Sequence, residues 1–284
     1  MEKTTLRDLL NKPGIIRAPG AFDAWSARLV QMAGFPAIYM TGYGVSASAL
    51  GSPDIGLITM NEMVNQAKNM SAAGIPLIAD ADTGYGGVLN VMRTVKEYER
   101  AGVAAIQLED QVLPKRCGHM EGKELVTQEE MVSKVRAAVA ARASEDTLII
   151  ARTDARAVHG FEDALKRAAA YQAAGADIIF FEAPQSVEEM KTVAATLHVP
   201  LLANMVEGGK TPFLTATELE EMGYKLVIYP ASTLYAATKS MISVLQSLKE
   251  HDTSAQYREQ MVGFPEFYRL IGVEAARQLE KSFS

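Results

Sequence analysis

AAGIPLIADAD (72–82) and RAGVAAIQLED (100–110) carry the reading that decides the fold. In each, a helix-like stretch ends on a glycine, and a short apolar run follows that closes on acidic residues. The same order recurs in MAGFPAIYMTG (32–42), AAGADIIFFEA (173–183) and EMGYKLVIYP (221–230). Gly34, Gly74, Gly102, Gly175 and Gly223 stand where a helix C-terminus turns left-handed, a conformation that suits a residue without Cβ. Apolar runs alternating with helices describe parallel strands covered on both faces. IIRA (15–18), LIIART (148–153) and PLLANM (200–205) complete the series.

The pattern predicts eight strands, over 15–18, 36–41, 76–81, 104–109, 147–152, 177–182, 200–204 and 225–229. Eight units in 284 residues favour an α/β chain folded as a single (β/α)8 TIM-type barrel over an open doubly wound sheet. Helices are expected between the strands: one over 128–143, another with an apolar stripe of Leu89, Met92, Val95 and Tyr98. No linker divides the chain, so residues 1–284 read as one domain with a helical tail from about 252. The amphipathic stretch Phe264 to Leu279 in that tail needs a surface, on this barrel or on a neighbouring subunit.

Apolar residues make up 48% of the chain and charged residues 22%, enough to bury a core and to exclude wholesale disorder. The net charge of −6 argues against nucleic acid as a partner. No apolar run is long enough to span a bilayer, and no secretory h-region follows Met1. One cysteine, Cys117, cannot form an intrachain disulfide. These features predict a cytoplasmic protein that needs no membrane.

Barrel active sites lie at the C-terminal ends of the strands. Those positions hold Thr41, Gly42 and Tyr43; Asp80 and Asp82; Glu109 and Asp110; Arg152 and Asp154; Glu182; and Asn204. Asp80 and Asp82, two apart on an extended chain, project to one face, and Glu109 reaches the same point from the next strand. A lone strand-end Asp commonly caps a turn, as Asp82 could in DTGYGG. Three converging carboxylates instead repel one another unless a cation neutralises them. Oxygen donors without His or Cys select Mg²⁺, or Mn²⁺, over zinc.

QVLPKRCGHMEGKELV (111–126) is long for a strand-to-helix loop, contains Gly118 and Gly122, and is basic through Lys115, Arg116 and Lys123. It reads as a lid carrying Cys117 and His119 over the mouth. Flanking cations are expected to lower the thiol pKa. Two other matches fail on context. ADTG (81–84) occurs once, on a βα scaffold, whereas aspartic proteases need two on an all-β frame. GYGVSA (42–47) matches a dinucleotide fingerprint only loosely.

KRCGH (115–119), with DADTGYG (80–86), QLEDQ (107–111), ARTDA (151–155) and NMVEGG (204–209), resembles the isocitrate lyase/phosphoenolpyruvate mutase superfamily. The similarity is strongest to the branch of 2,3-dimethylmalate lyase, 2-methylisocitrate lyase and oxaloacetate hydrolase, because the phosphonomutases lack the cysteine loop. The resemblance implies Mg²⁺ held by Asp80, Asp82 and Glu109, largely through waters, with Asp54 in support. It implies substrate contacts from Thr41, Gly42, Tyr43, Asp80, Arg152, Glu182 and Asn204. Catalysis falls to Cys117, Tyr39 and Arg152, with Lys115 and His119 on the lid.

On this reading a 2-hydroxy acid chelates the ion and Tyr39 assists removal of its hydroxyl proton. The C2–C3 bond breaks to release pyruvate, and Cys117 protonates the leaving carbanion. Arg152 holds a carboxylate in a bidentate fork. Tyr235 and Tyr43 stand where methylisocitrate lyases carry an arginine and a glycine, which favours a dicarboxylate such as 2,3-dimethylmalate. Methylisocitrate cleavage, oxaloacetate hydrolysis and a silent dicarboxylate-binding barrel are the alternatives. The family's habit also implies a homotetramer, a dimer of dimers exchanging the C-terminal helix.

Overall fold

The computed structural model describes residues 4–118 and 120–283, and its eight strands form one closed parallel barrel in sequence order. The strands are β1 (Ile16–Ala21), β2 (Ile38–Met40), β3 (Leu77–Asp80), β4 (Ala105–Glu109), β5 (Leu148–Thr153), β6 (Ile178–Phe181), β7 (Leu201–Asn204) and β8 (Leu226–Tyr229). The last pairs back onto the first, with Ile16 beside Leu226. All eight predicted strands are present, with ends displaced by three residues at most. Gly34, Gly74, Gly102, Gly175 and Gly223 all adopt positive φ, between 81° and 103°. Nothing lies within 4 Å of a Cβ built on Gly34 or Gly74, so backbone conformation alone selects glycine at these two positions.

The helices before and within the barrel are α1 (Leu6–Leu10), α2 (Ala24–Met32), α3 (Gly42–Val45), α4 (Met60–Ser71), α5 (Val88–Arg100), α6 (Gln128–Ala141) and α7 (Ala155–Val158). They continue as α8 (Phe161–Ala173), α9 (Val187–Thr196), α10 (Ala216–Glu221) and α11 (Ser232–His251). Thr59 with Glu62 and Thr215 with Glu218 form capping boxes that start α4 and α10. The buried side of α5 is Val91, Thr94, Val95 and Tyr98, whereas Leu89 is 77% exposed. The predicted stripe was therefore correct in its second half and turned outward at its start.

Side chains alternate along each strand. Tyr39, Ile78, Ala105, Ile150, Phe180, Leu202 and Ile228 fill the barrel, with Leu6 of α1 in the same cluster. Ile38, Ala79, Ile106, Ile149, Ile179 and Val227 face the helices. Period two carries that inward series on to Asp80, Gln107, Glu109, Arg152, Glu182 and Asn204, and so fills the upper layer with polar groups.

Chain contacts divide the molecule into two compact units, residues 1–234 and 235–284. The second therefore begins at Tyr235, inside α11, and not near residue 252. It contains most of α11, a 3-10 turn, α12 (Phe264–Ile271) and α13 (Val273–Lys281). The expected amphipathic stretch is broken in two at Gly272, which has φ 81°. No helix among the described residues is long and apolar enough to cross a membrane.

Candidate active site

The mouth of the barrel is charged and buried. Asp54, Asp80, Asp82, Glu109, Arg152 and Glu182 are all buried, as is Lys115 from the loop after β4. Asp82 is not extended as the sequence reading assumed: β3 ends at Asp80, and Asp82 has φ 47°. Its backbone N–H donates to Asp80 Oδ1 at 3.0 Å, so a tight turn, not strand alternation, brings the two acids together. Lys115 Nζ lies 2.6 Å from Asp54 Oδ1 and 2.8 Å from Asp82 Oδ1. Burial lifts Asp82 to about 6, with Lys115 pulling down and Asp80 and Asp54 pushing up.

Glu109 is 1% exposed, and neither of its carboxylate oxygens accepts a hydrogen bond among the described residues. Arg152 Nη1 stands 3.4 Å from Oε2 as its nearest ion pair. Burial pushes Glu109 well above the usual carboxylate range, against the pull of Arg152 and Lys115. No three His, Cys, Asp or Glu side chains among the described residues stand close enough to ligate one ion directly. A direct cage is thus absent, and the Lys115 ammonium supplies positive charge among the acids. The under-coordinated Glu109 beside other buried carboxylates still suits a hard cation held through water, which has the oxygen preference of Mg²⁺.

Loop 111–126 is folded down over this mouth. Gln111 and Leu125 form an antiparallel bridge at its neck, and Val112 N–H donates to Glu124 O at 2.8 Å. Cys117 N–H donates to Asp54 O at 3.1 Å, which seats the thiol-bearing residue against the acid cluster. A Cβ on Gly118 would fall 2.2 Å from Arg152 Nη2 and 2.7 Å from Glu182 Oε1, so only glycine permits this approach. His119 lies outside the described residues.

Arg152 does present a bidentate fork, but Asp154 takes it: Nε and Nη2 donate at 2.9 and 3.0 Å. An internal carboxylate thus fills that edge of the guanidinium, and Nη1 turns toward Glu109. Burial alone would raise Asp154, yet Arg152 and then Lys123 outweigh it and hold the group below its ordinary value. Asp154 N–H donates to Asp110 Oδ1 at 2.9 Å, and Thr153 and Tyr171 hydroxyls both donate to Asp110 Oδ2 at 2.8 Å.

Tyr39 donates its phenol proton to Gln107 Oε1 at 3.1 Å. Burial, then the nearby Asp80 charge, push its pKa well above the ordinary phenol. Tyr39 is thus a hydrogen-bond donor within the barrel. Thr41 caps α3 by accepting from Gly44 N–H at 3.2 Å, and a Cβ on Gly42 would meet Asp80 Oδ2 at 2.6 Å. Tyr43 follows, half-buried, in the first turn of α3. Asn204 Nδ2 donates to Glu182 Oε2 at 3.3 Å. Sequence reasoning set Asp154 among the strand-end positions without a role, and missed Gln107 and Lys123 as site residues. The period-two series marks Gln107, but nothing local tells Lys123 from any other loop lysine.

A closed β/α barrel with buried acids, one arginine and a cysteine loop at its mouth defines an enzyme that handles anionic oxygen compounds. A family model described as phosphoenolpyruvate phosphomutase matches residues 6–249, and the chain belongs to the phosphoenolpyruvate mutase/isocitrate lyase superfamily. It is 54% identical over 280 residues to 2,3-dimethylmalate lyase of Eubacterium barkeri, covering 98% of this chain and 97% of the relative. It is 48% identical over 268 residues to 2-methylisocitrate lyase of Aeropyrum pernix, covering 94% and 86%. Among solved structures, oxaloacetate acetylhydrolase with the inhibitor 3,3-difluorooxalacetate superposes with a TM-score of 0.93 at 38% identity, covering 99% of this chain and 96% of that one.

Proposed function

We propose that the protein is a Mg²⁺-dependent carbon–carbon lyase that cleaves a 2-hydroxy dicarboxylate of the 2,3-dimethylmalate type to pyruvate and propionate. The observation that carries the reading is the seating of the Cys117 loop, with Gly118 against Arg152 and Glu182 and Lys115 among the acids. The seating of Cys117 beside the acid cluster supports its reading as the proton donor. Similarity to 2,3-dimethylmalate lyase across nearly the whole chain supports the same substrate class.

When bound, Mg²⁺ would supply Lewis acidity that favours the alkoxide form of the substrate hydroxyl. Asp54, Asp80, Asp82 and Glu109 would hold it, and their excess negative charge is what makes the site accept it. Arg152 Nη1 and the Asn204 amide offer donors to the substrate's carboxylates. The hydroxyl proton leaves to a carboxylate of the mouth as the C2–C3 electron pair departs with C3. The Cys117 thiol then protonates C3, and the two proton transfers cancel overall. The folded loop excludes water, which would otherwise quench the carbanion without control.

The cations at the mouth already face protein carboxylates: Lys115 on Asp54 and Asp82, Arg152 and Lys123 on Asp154. A third substrate carboxylate, as in methylisocitrate, therefore finds less charge to meet it. For the assembly, the exposed apolar side chains of the tail support a homotetramer in which dimers exchange C-terminal helices.

The test is pyruvate release from 2,3-dimethylmalate and from 2-methylisocitrate, each with Mg²⁺ and with EDTA, and acetate plus oxalate from oxaloacetate. EDTA-sensitive pyruvate from dimethylmalate, abolished by Cys117→Ser, is the expected result. Faster release from methylisocitrate would overturn the substrate, and full activity in Cys117→Ser would remove the thiol from the reaction.

A further inference from the structure

Lys123 follows Cys117 by six residues in the lid, with a side chain only 2% exposed. Its ammonium donates to the carbonyl of Gly118 and pairs with Asp154 Oδ1 at 3.3 Å. The same Oδ1 accepts from Arg152 Nη2 at 3.0 Å. Asp154 is fixed from behind, since its N–H is bonded to Asp110 at 2.9 Å and Asp110 is anchored by Thr153 and Tyr171. One buried carboxylate on the rigid barrel thus touches both the arginine of the mouth and, through Lys123, the residue next to the thiol.

We infer that Lys123 and Asp154 form the catch that holds the Cys117 loop on the barrel mouth, and that Asp154 ties the loop's position to that of Arg152. Both are positioning residues, acting on the reaction through Gly118, Cys117 and Arg152. The geometry explains why Gly118 has no side chain: the catch draws its backbone onto the guanidinium. It also explains why Lys123 is buried between the exposed Gly122 and Glu124. A buried ammonium is costly without a paired anion, and Asp154 on the barrel is that anion only while the loop is down. The role assigned to the loop rests on the proposed lyase reading, but the seating of the loop does not.

The test uses the full chain and its one cysteine as the probe. Iodoacetamide alkylation of Cys117, followed by mass, needs no substrate. Lys123→Met leaves Asp154 still forked by Arg152, so the barrel keeps a compensated charge and should fold. Loss of a neighbouring cation would by itself slow alkylation, because fewer thiols ionise. Faster alkylation therefore reports an open loop. Lys123→Met is expected to raise the rate about tenfold, the effect of shifting an open–closed equilibrium by one order of magnitude. Lys123→Arg should return most of the way to the original rate.

Turnover, where a substrate is found, should show kcat in Lys123→Met lowered by about 10²-fold with KM changed far less, as expected for a misplaced proton donor. An alkylation rate unchanged in Lys123→Met would overturn the catch. So would an arginine variant no better than the methionine one, or a faster rate matched by a general fall in Tm. If none of the three substrates yields product, the lyase reading fails while the alkylation result still decides the catch.

Discussion

Tyr39 shows how one residue's place in the barrel sets its chemistry. It is inward on β2, its hydroxyl donates to Gln107, and burial beside Asp80 makes the phenolate unfavourable. An unfolded tyrosine ionises near pH 10. Above that pH the unfolded chain has released the Tyr39 proton and the folded chain still holds it. Its contribution to stability is thus complete below pH 10 and is lost as pH rises toward the higher folded value. Tyr39→Phe removes this penalty. Denaturant unfolding at about pH 9 and about pH 10.5 should show a smaller alkaline loss in the variant than in the parent. An equal loss would mean that Tyr39 ionises normally in the fold. Whether Tyr39 lies inside the barrel is readable from alternation, but its protonation is not, because that depends on Gln107 and Asp80 from other strands.

At the scale of elements, α5 separates pattern from packing. Leu89 and Val95 belong to the same apolar stripe in sequence, yet Leu89 is 77% exposed and Val95 fully buried. Val95→Ala should cost about 2 kcal/mol through lost burial and a residual cavity, and Leu89→Ala no more than about 0.5 kcal/mol. Urea midpoints of the two variants check this, and similar costs would show that the start of α5 is covered in solution. The first turn of α5 follows the glycine-rich bend DTGYGG, where Gly84, Tyr85 and Gly86 all take positive φ. That bend sets the helix's rotation about its axis, and periodicity alone carries no information about rotation. The loop between β4 and α6 teaches the complementary lesson. Its length and glycines mark it as a lid, whereas the residues that hold it down, Asp54, Asp82 and Asp154, come from segments after α3, β3 and β5.

For the molecule as a whole, the tail is the unit whose surroundings matter most. Phe264 is 70% exposed and Leu279 is 63% exposed, on helices in which no residue is fully buried. Apolar surface of this kind marks an interaction site. Sedimentation velocity should show a tetramer, and Phe264→Asp with Phe267→Asp should shift it to smaller species. A monomeric parent chain would end the assembly reading. The barrel itself was decided by the sequence: glycines at helix ends require positive φ wherever they occur, and period two fixes which residues face inward. Local rules of this kind need no knowledge of distant residues, and so Asp80, Glu109, Arg152, Glu182 and Asn204 could be placed at the mouth from the chain alone. Only the tertiary structure decided that Asp154 occupies the fork of Arg152, that Lys115 lies among the acids, and that Lys123 reaches Gly118. Those pairings join β3, β5 and two loops across the barrel. They follow from the low dielectric of a buried mouth, where each charge must take the nearest opposite partner that closure brings to it.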